Sequence, residues 1–231
     1  MKVIGLIGGM SWESSLEYYR IINERVKEKL GGLHSAKSLM FSVDFQEIEQ
    51  LQHRGDWNGA TMLMIDAAKR LELGGADMIV ICTNTRHKMA DDIQKNTPIP
   101  LIHIADATAE KVMKSGMKRV GLIGTKFTME ENFYKGRLIE KYGLDVIIPD
   151  EEERQMVHDT IYKELCLGII NQNSREKFTR VIENLARNGA EGVILGCTEI
   201  PLLVRQEDVK VQLFDTTCIH AKAAADYALE N

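Results

Sequence analysis

Two cysteines in matching settings carry the chemistry that this sequence offers. Cys82 ends an apolar run and is followed by Thr83, Asn84 and Thr85; Cys197 ends another, after Gly196, and is followed by Thr198 and Glu199. Each run is introduced by a similar string, Gly75-Ala76-Asp77 in one case and Gly189-Ala190-Glu191 in the other, and Cys197 lies 115 positions beyond Cys82. A thiol is a proton donor and, once ionised, a base. Two thiols on opposite sides of one carbon can take a proton from one face and deliver one to the other, which inverts a stereocentre without help from a cofactor. Cysteine is also among the most buried residue types, and a single cysteine at the end of an apolar run reads equally as a small packing residue. The repeated setting, with a threonine after each thiol, favours the chemical reading.

Ligands bind open parallel sheets beyond the carboxyl ends of the strands, which is where both thiols are predicted to stand. The residues that follow, Thr83-Asn84-Thr85 and Thr198-Glu199 with Pro201, suit entry into a helix. Each thiol is therefore expected to feel the positive end of a helix dipole and to ionise below the ordinary value of about 8.5, while nearby backbone N–H groups cradle a carboxylate. Cys166, within Lys163-Glu164-Leu165-Cys166-Leu167, and Cys218 lack such a context and read as packing residues. With no CxxC or HExxH spacing, no metal site is expected, and four cysteines in 231 residues do not resemble a disulfide framework.

The elements that must position these thiols are visible as short apolar runs alternating with stretches of helical period, the pattern of parallel strands joined by crossover helices. Strands are predicted near residues 2–8, 38–44, 77–82, 101–104, 119–124, 144–148, 191–196 and 211–214, four in each half. After Trp57, residues Ala60, Met64, Ala67, Ala68 and Leu71 recur at three- and four-residue steps before Gly74, which predicts a sheet-covering helix. Further helices are predicted over 131–142, ended by Gly143, and over 174–188, ended by Gly189. The halves echo each other: Val3-Ile4-Gly5-Leu6-Ile7-Gly8 matches Arg119-Val120-Gly121-Leu122-Ile123-Gly124 at an offset of 116, nearly that of the cysteines. A duplicated α/β unit, with two lobes related by approximate twofold symmetry, accounts for both echoes.

The Gly8-Gly9-Met10-Ser11 turn opens a helix with Ser11 as N-cap, but neither GxGxxG nor GxxxxGK[ST] is present, so no nucleotide site is implied. Its glycines are expected to let the backbone approach a small substrate, the alternative being a tight strand-to-helix turn. His87 is expected to face solvent rather than line a pocket. Arg54, Arg86, Lys88 and Lys126 all follow predicted strand ends and are candidates for gripping a distal carboxylate, with solvation the default for each.

Composition narrows the functional classes. With 29 basic and 34 acidic residues, a net charge of −5 and no long run of either sign, there is no footprint for nucleic acid. The N-terminal apolar run is too short and glycine-rich for a signal peptide, and nowhere do about 18 apolar residues follow one another, so a soluble, cytoplasmic protein without membrane contact is expected.

At Gly8-Gly9-Met10-Ser11-Trp12-Glu13-Ser14, Cys82-Thr83-Asn84-Thr85-Arg86-His87-Lys88 and Gly196-Cys197-Thr198-Glu199-Ile200, the chain resembles the aspartate/glutamate racemase family, nearly end to end. The resemblance implies an α/β fold of two lobes, each a four-stranded parallel sheet flanked by helices, with the active site between them. The first lobe would comprise residues 1–103 plus 215–231, the second residues 104–214. It implies amino-acid racemisation with no cofactor, neither pyridoxal phosphate nor metal, Cys82 and Cys197 being the acid/base pair. Asn84, Thr85 and Thr198 would hold the α-carboxylate and amino group, with Met10, Thr83 and Glu199 completing the substrate site. A basic residue after the second strand would read a side-chain carboxylate, falling here around Gln52 to Arg54, which ranks Arg54 first among the cations. A homodimer is also implied.

Three positions depart from the family pattern. Arg86 stands where methionine is common, Cys166 lies in a stretch where some aspartate-specific relatives carry a lysine, and Glu199 replaces the histidine of glutamate racemases that supply cell-wall precursor. Alternatives to aspartate or glutamate racemisation are therefore a broad-specificity racemase of other polar amino acids, a related isomerase such as maleate isomerase, and an amino-acid-binding protein without turnover.

Overall fold

Strands and helices alternate along the whole of the computed structural model, which describes residues 1–230. The strands are β1 (Ile4–Gly8), β2 (Ser38–Ser42), β3 (Met78–Ile81), β4 (Leu101–Ile102), β5 (Arg119–Gly124), β6 (Asp145–Ile147), β7 (Gly192–Gly196) and β8 (Gln212–Asp215). The helices are α1 (Trp12–Leu30), α2 (Phe45–His53), α3 (Trp57–Leu73), α4 (Ala90–Lys95), α5 (Ile104–Lys114), α6 (Lys126–Glu130), α7 (Lys135–Tyr142), α8 (Glu151–Lys163), α9 (Gln172–Arg187), α10 (Ile200–Leu203) and α11 (Thr216–Leu229). All eight predicted strands are present, in two four-stranded sheets of order β2-β1-β3-β4 and β6-β5-β7-β8, every pairing parallel. The chain divides into two compact units: Met1–His103 with the stretch from His220 onward, and Ile104–Ile219.

In the first unit, β1, β3 and α3 supply most of the core. Ala60, Met64, Ala67, Ala68 and Leu71 of α3 are all buried, as their spacing predicts, and pack with Ile7, Ile48, Ile79, Ile81 and Ile93. Burying one large aliphatic side chain contributes about 1.5–3 kcal/mol, several times any helix-propensity difference, so the apolar face holds α3 in place. In the second unit, Phe178, Val181, Ile182 and Leu185 of α9 do the same against Val120, Leu122, Val193 and Leu195. The helix predicted over 131–142 is shorter than expected. Thr125 caps an earlier turn, α6, and α7 begins only at Lys135, because Phe133 and Tyr134 leave the helical path to pack into the core, Tyr134 completely buried. Tertiary packing overrides local propensity there.

The repeated Gly-Ala-acid string is a latch. Gly75 and Gly189 hold φ at +92° and +97°, a region open to glycine, and turn the chain out of α3 and α9. The acid then reaches the start of the neighbouring strand: the Val3 N–H donates to Asp77 Oδ2 at 2.6 Å, and those of Lys118 and Arg119 donate to Glu191 Oε2 at 2.7 and 2.9 Å. These bonds hold the Glu191 carboxyl below the usual carboxylate range.

The glycine turn after β1 is a tight strand-to-helix turn that the packing of the chain itself requires. Gly9 has φ of +93°, its N–H donates to Ser15 Oγ at 2.8 Å, and a Cβ built on it would lie 2.2 Å from the Val43 carbonyl oxygen. Ser11 caps α1 as predicted, accepting from the Ser14 N–H. The variant Gly9→Ala is accordingly expected to lower stability by about 3 kcal/mol, the scale of a steric clash added to a strained backbone. Urea unfolding of the two proteins side by side measures it; an unchanged midpoint would contradict this account.

Candidate functional site

Cys82 is the first residue beyond β3. Its N–H still donates to the Ile7 carbonyl at 3.0 Å, continuing the β1–β3 ladder by one bond, and the Thr83 N–H turns back to Ile81 O at 2.9 Å. The chain then makes a 3₁₀ turn, Thr85–Met89, before α4. Thr83, Asn84 and Thr85 are buried with the thiol, so these three candidate substrate-binding side chains share one desolvated loop. Met10 is buried in the core of the same unit.

Cys197 stands in the equivalent place beyond β7, whose Gly196 pairs with Gly124 of β5. The thiol donates to Glu199 Oε2 at 2.8 Å, and the Thr198 hydroxyl donates to the same oxygen at 3.1 Å. Thr198 and Glu199 are both buried. The buried carboxylate thus addresses the thiol directly, a role that the sequence did not show.

Neither thiol is set up to ionise, which corrects the expected depression. Only a five-residue 3₁₀ turn and the six-residue α4 follow Cys82, and α10 after Cys197 has four residues, too little helix for a strong dipole. Burial pushes the Cys82 thiol well up; burial also pushes the Cys197 thiol well up, with help from the Glu199 charge and the neighbouring Cys166 thiol. Cys166 lies in a 3₁₀ turn, Leu165–Leu167, half-buried against the core of the second unit.

The four candidate cations differ in burial and in partners. Arg54, ranked first, is exposed just past α2. Lys88 lies over the Trp57 ring, 3.9 Å from its centroid, and Lys126 is half-buried beside an open, charged cleft of about 820 Å³. Arg86 is 2% exposed, against the solvated default, and its guanidinium donates to Oε1 of the buried Gln52. His87 is buried too, not solvent-facing, with Nδ1 bonded to the Thr83 carbonyl at 2.8 Å. Its ring meets those of His103 and His220, which sequence reasoning passed over because nothing local marks them. Among the described residues no group of three or more His, Cys, Asp or Glu could hold a metal ion, and no helix is long and apolar enough to cross a membrane.

Known proteins match this chain in sequence and in fold. Residues 7–224 match the Asp/Glu/Hydantoin racemase family. Over the full length of both chains, the protein is 57% identical to a candidate Asp/Glu racemase of Yersinia pestis, with a TM-score of 0.93. It is 39% identical to an aspartate racemase homologue of Pyrococcus horikoshii OT3, again over the full length of both, with a TM-score of 0.86. The broad specificity amino-acid racemase RacX of Bacillus subtilis is 25% identical over 165 residues, 69% of this chain and 68% of RacX.

The burial of both thiols has a direct chemical consequence. Without substrate, Cys82 and Cys197 are expected to react with iodoacetamide more slowly than an exposed cysteine at pH about 8.5, where an ordinary thiol is half ionised, and to keep accelerating above it. Peptide mass mapping against pH reads each thiol separately. A plateau reached below neutrality would show that the thiols ionise early.

Proposed function

The chain belongs to the Asp/Glu/Hydantoin racemase family, a family of isomerases, and on that premise we propose that it interconverts L- and D-aspartate or glutamate with Cys82 and Cys197 as its two bases. The observation that carries this reading is the equivalence of the thiols: each is buried, one residue past the third strand in the order of its own sheet, and each is followed by a buried threonine. Racemisation needs one thiolate and one thiol on opposite faces of the same Cα.

Glu199 supplies the asymmetry. An amino-acid substrate brings an ammonium group into surroundings that disfavour thiolate, and its charge lowers the cost of ionising a thiol. The Cys197 proton then passes to Glu199, which already accepts it in a hydrogen bond, leaving Cys197 as thiolate and Cys82 as thiol. Cys197 takes the α-proton from one face while Cys82 delivers its own to the other, and the reverse reaction exchanges the roles. Asn84, Thr85 and Thr198, with backbone N–H groups of the two loops, hold the α-carboxylate, whose oxygens take up the developing negative charge. No bond other than those to the moving protons is made or broken, so the scheme calls for no cofactor.

Arg86 is the cation proposed for a side-chain carboxylate, held by Gln52. Its guanidinium has five donors in a planar fork suited to a carboxylate. A second reading, broad specificity toward polar amino acids, draws support from Gln52 itself: the buried member of the segment expected to carry a cation is a neutral amide that can bond an uncharged polar side chain.

Exchange of the α-proton in deuterated buffer, followed by NMR with L- and D-aspartate, L- and D-glutamate and a panel of neutral polar amino acids, tests both. Cys82→Ala and Cys197→Ala are each expected to slow inversion by about 10²–10⁴-fold, the usual contribution of a positioned acid or base. Retention of wild-type inversion by either variant would sink the two-base scheme. Arg86→Met is expected to lower kcat/KM for aspartate and glutamate by roughly 10–100-fold, the worth of a charge-assisted bond, and to affect neutral substrates far less. Equal losses on both classes would remove Arg86 from substrate selection.

A further inference from the structure

The loop that carries Cys82 is braced by buried histidines to which the acid/base scheme assigns no task. His87 Nδ1 lies 2.8 Å from the Thr83 carbonyl oxygen. A carbonyl only accepts, so Nδ1 carries a proton and donates it. The His87 ring stands at an angle to His103, with centroids 4.6 Å apart, and to His220, at 5.5 Å. His220 is completely buried, and its Nε2 donates to the Ile102 carbonyl at 2.7 Å. Burial pushes its pKa down to about 4, so at neutral pH the ring is uncharged and Nδ1 accepts from the Tyr18 hydroxyl at 2.7 Å. These partners come from separate stretches of the first unit: Tyr18 from α1, Thr83 from beyond β3, Ile102 from β4 and His220 from α11.

We propose that His87 is a positioning residue for the Cys82 thiol, clamping the Thr83 carbonyl through its Nδ1–H while His103 and His220 fix the plane of its ring. The inference rests on the assignment of Cys82 as one of the two acid/base thiols. Cys82 is the last residue held by the β1–β3 ladder, and the next peptide group has already left the sheet. The bond from His87 fixes the rotation of the Thr83–Asn84 peptide group, one further along, and with it the path that the chain takes away from Cys82. A reacting group misplaced by about 1 Å can lose about 10²-fold in rate, so even partial loosening of this loop is visible in kcat.

The decisive comparison is among Leu, Gln and Asn at position 87, because asparagine places an amide N–H where Nδ1 stands, glutamine carries it one bond further out, and leucine removes it. Racemisation of L-aspartate and L-glutamate is followed by circular dichroism for H87L, H87Q and H87N, with C82A and thermal melting curves alongside. H87L and H87Q are expected to lose roughly 10–100-fold in kcat with KM within about twofold, while H87N recovers to within about threefold of wild type. Wild-type kcat in H87L or H87Q overturns the positioning role. So does an H87N that melts like wild type yet is as slow as H87Q, since the donor would then not matter. Should H87L fail to fold, the Asn and Gln variants decide between them. C82A separates the two levels: wild-type racemisation by C82A overturns the assignment of Cys82 itself, whereas an inactive C82A beside fully active H87L and H87Q overturns only the role of His87.

Discussion

The register of β3 against β1, and of β7 against β5, is the constraint on which the rest of this protein depends. Cys82 continues the ladder one bond beyond the Ile7–Ile81 pair, and Cys197 directly follows the Gly124–Gly196 pair. Side chains alternate between the two faces of a strand, so a slip of one residue would turn either thiol to the other face of its sheet. Asp77 and Glu191 oppose such a slip by taking backbone N–H groups at the start of the neighbouring strand. The same two acids belong to the strings that introduce each thiol in the sequence, so the latch and the chemistry travel together in both units.

Burial then sets the chemistry. A desolvated thiol resists ionisation, so each cysteine rests protonated, and the proposed two-base reaction needs a way to ionise one of them when a substrate is present. Glu199 answers that need at Cys197, where its carboxylate already holds the thiol proton in a hydrogen bond. Around Cys82 the emphasis is on geometry: the His87 bond to Thr83 and the rings of His103 and His220 hold the loop. On this reading one thiol is tuned by a charge and the other by a rigid support, although their positions in the two sheets are equivalent.

Specificity follows similar physics. Arg54 is exposed, and a solvated guanidinium gains less from a further carboxylate than a buried one does. Arg86 is desolvated and held by Gln52, conditions under which a charge discriminates strongly between anionic and neutral partners. A buried cation has to be met by polar groups or by a ligand, which is why the proposed reading gives the Gln52–Arg86 pair the choice between anionic and neutral substrates.

What the sequence by itself determined was whatever depends on local pattern. Alternating apolar runs and helical periods located all eight strands and the core face of α3, Gly74 and Gly143 marked helix ends, and the near-equal offsets exposed the doubled plan and paired the cysteines. What only the tertiary structure decided depends on surroundings brought from far along the chain. Arg86 and His87 look like surface residues in sequence, but the 34 positions separating Arg86 from Gln52 vanish in the fold. Tyr18, Ile102 and His220 carry no local signal at all, since Tyr18 and Ile102 lie 202 and 118 positions from His220, which both bond. The thiol protonation states reversed for the same reason: a short helix entry is readable from residue types, whereas desolvation is a property of everything packed around the sulfur, and here it is the larger effect.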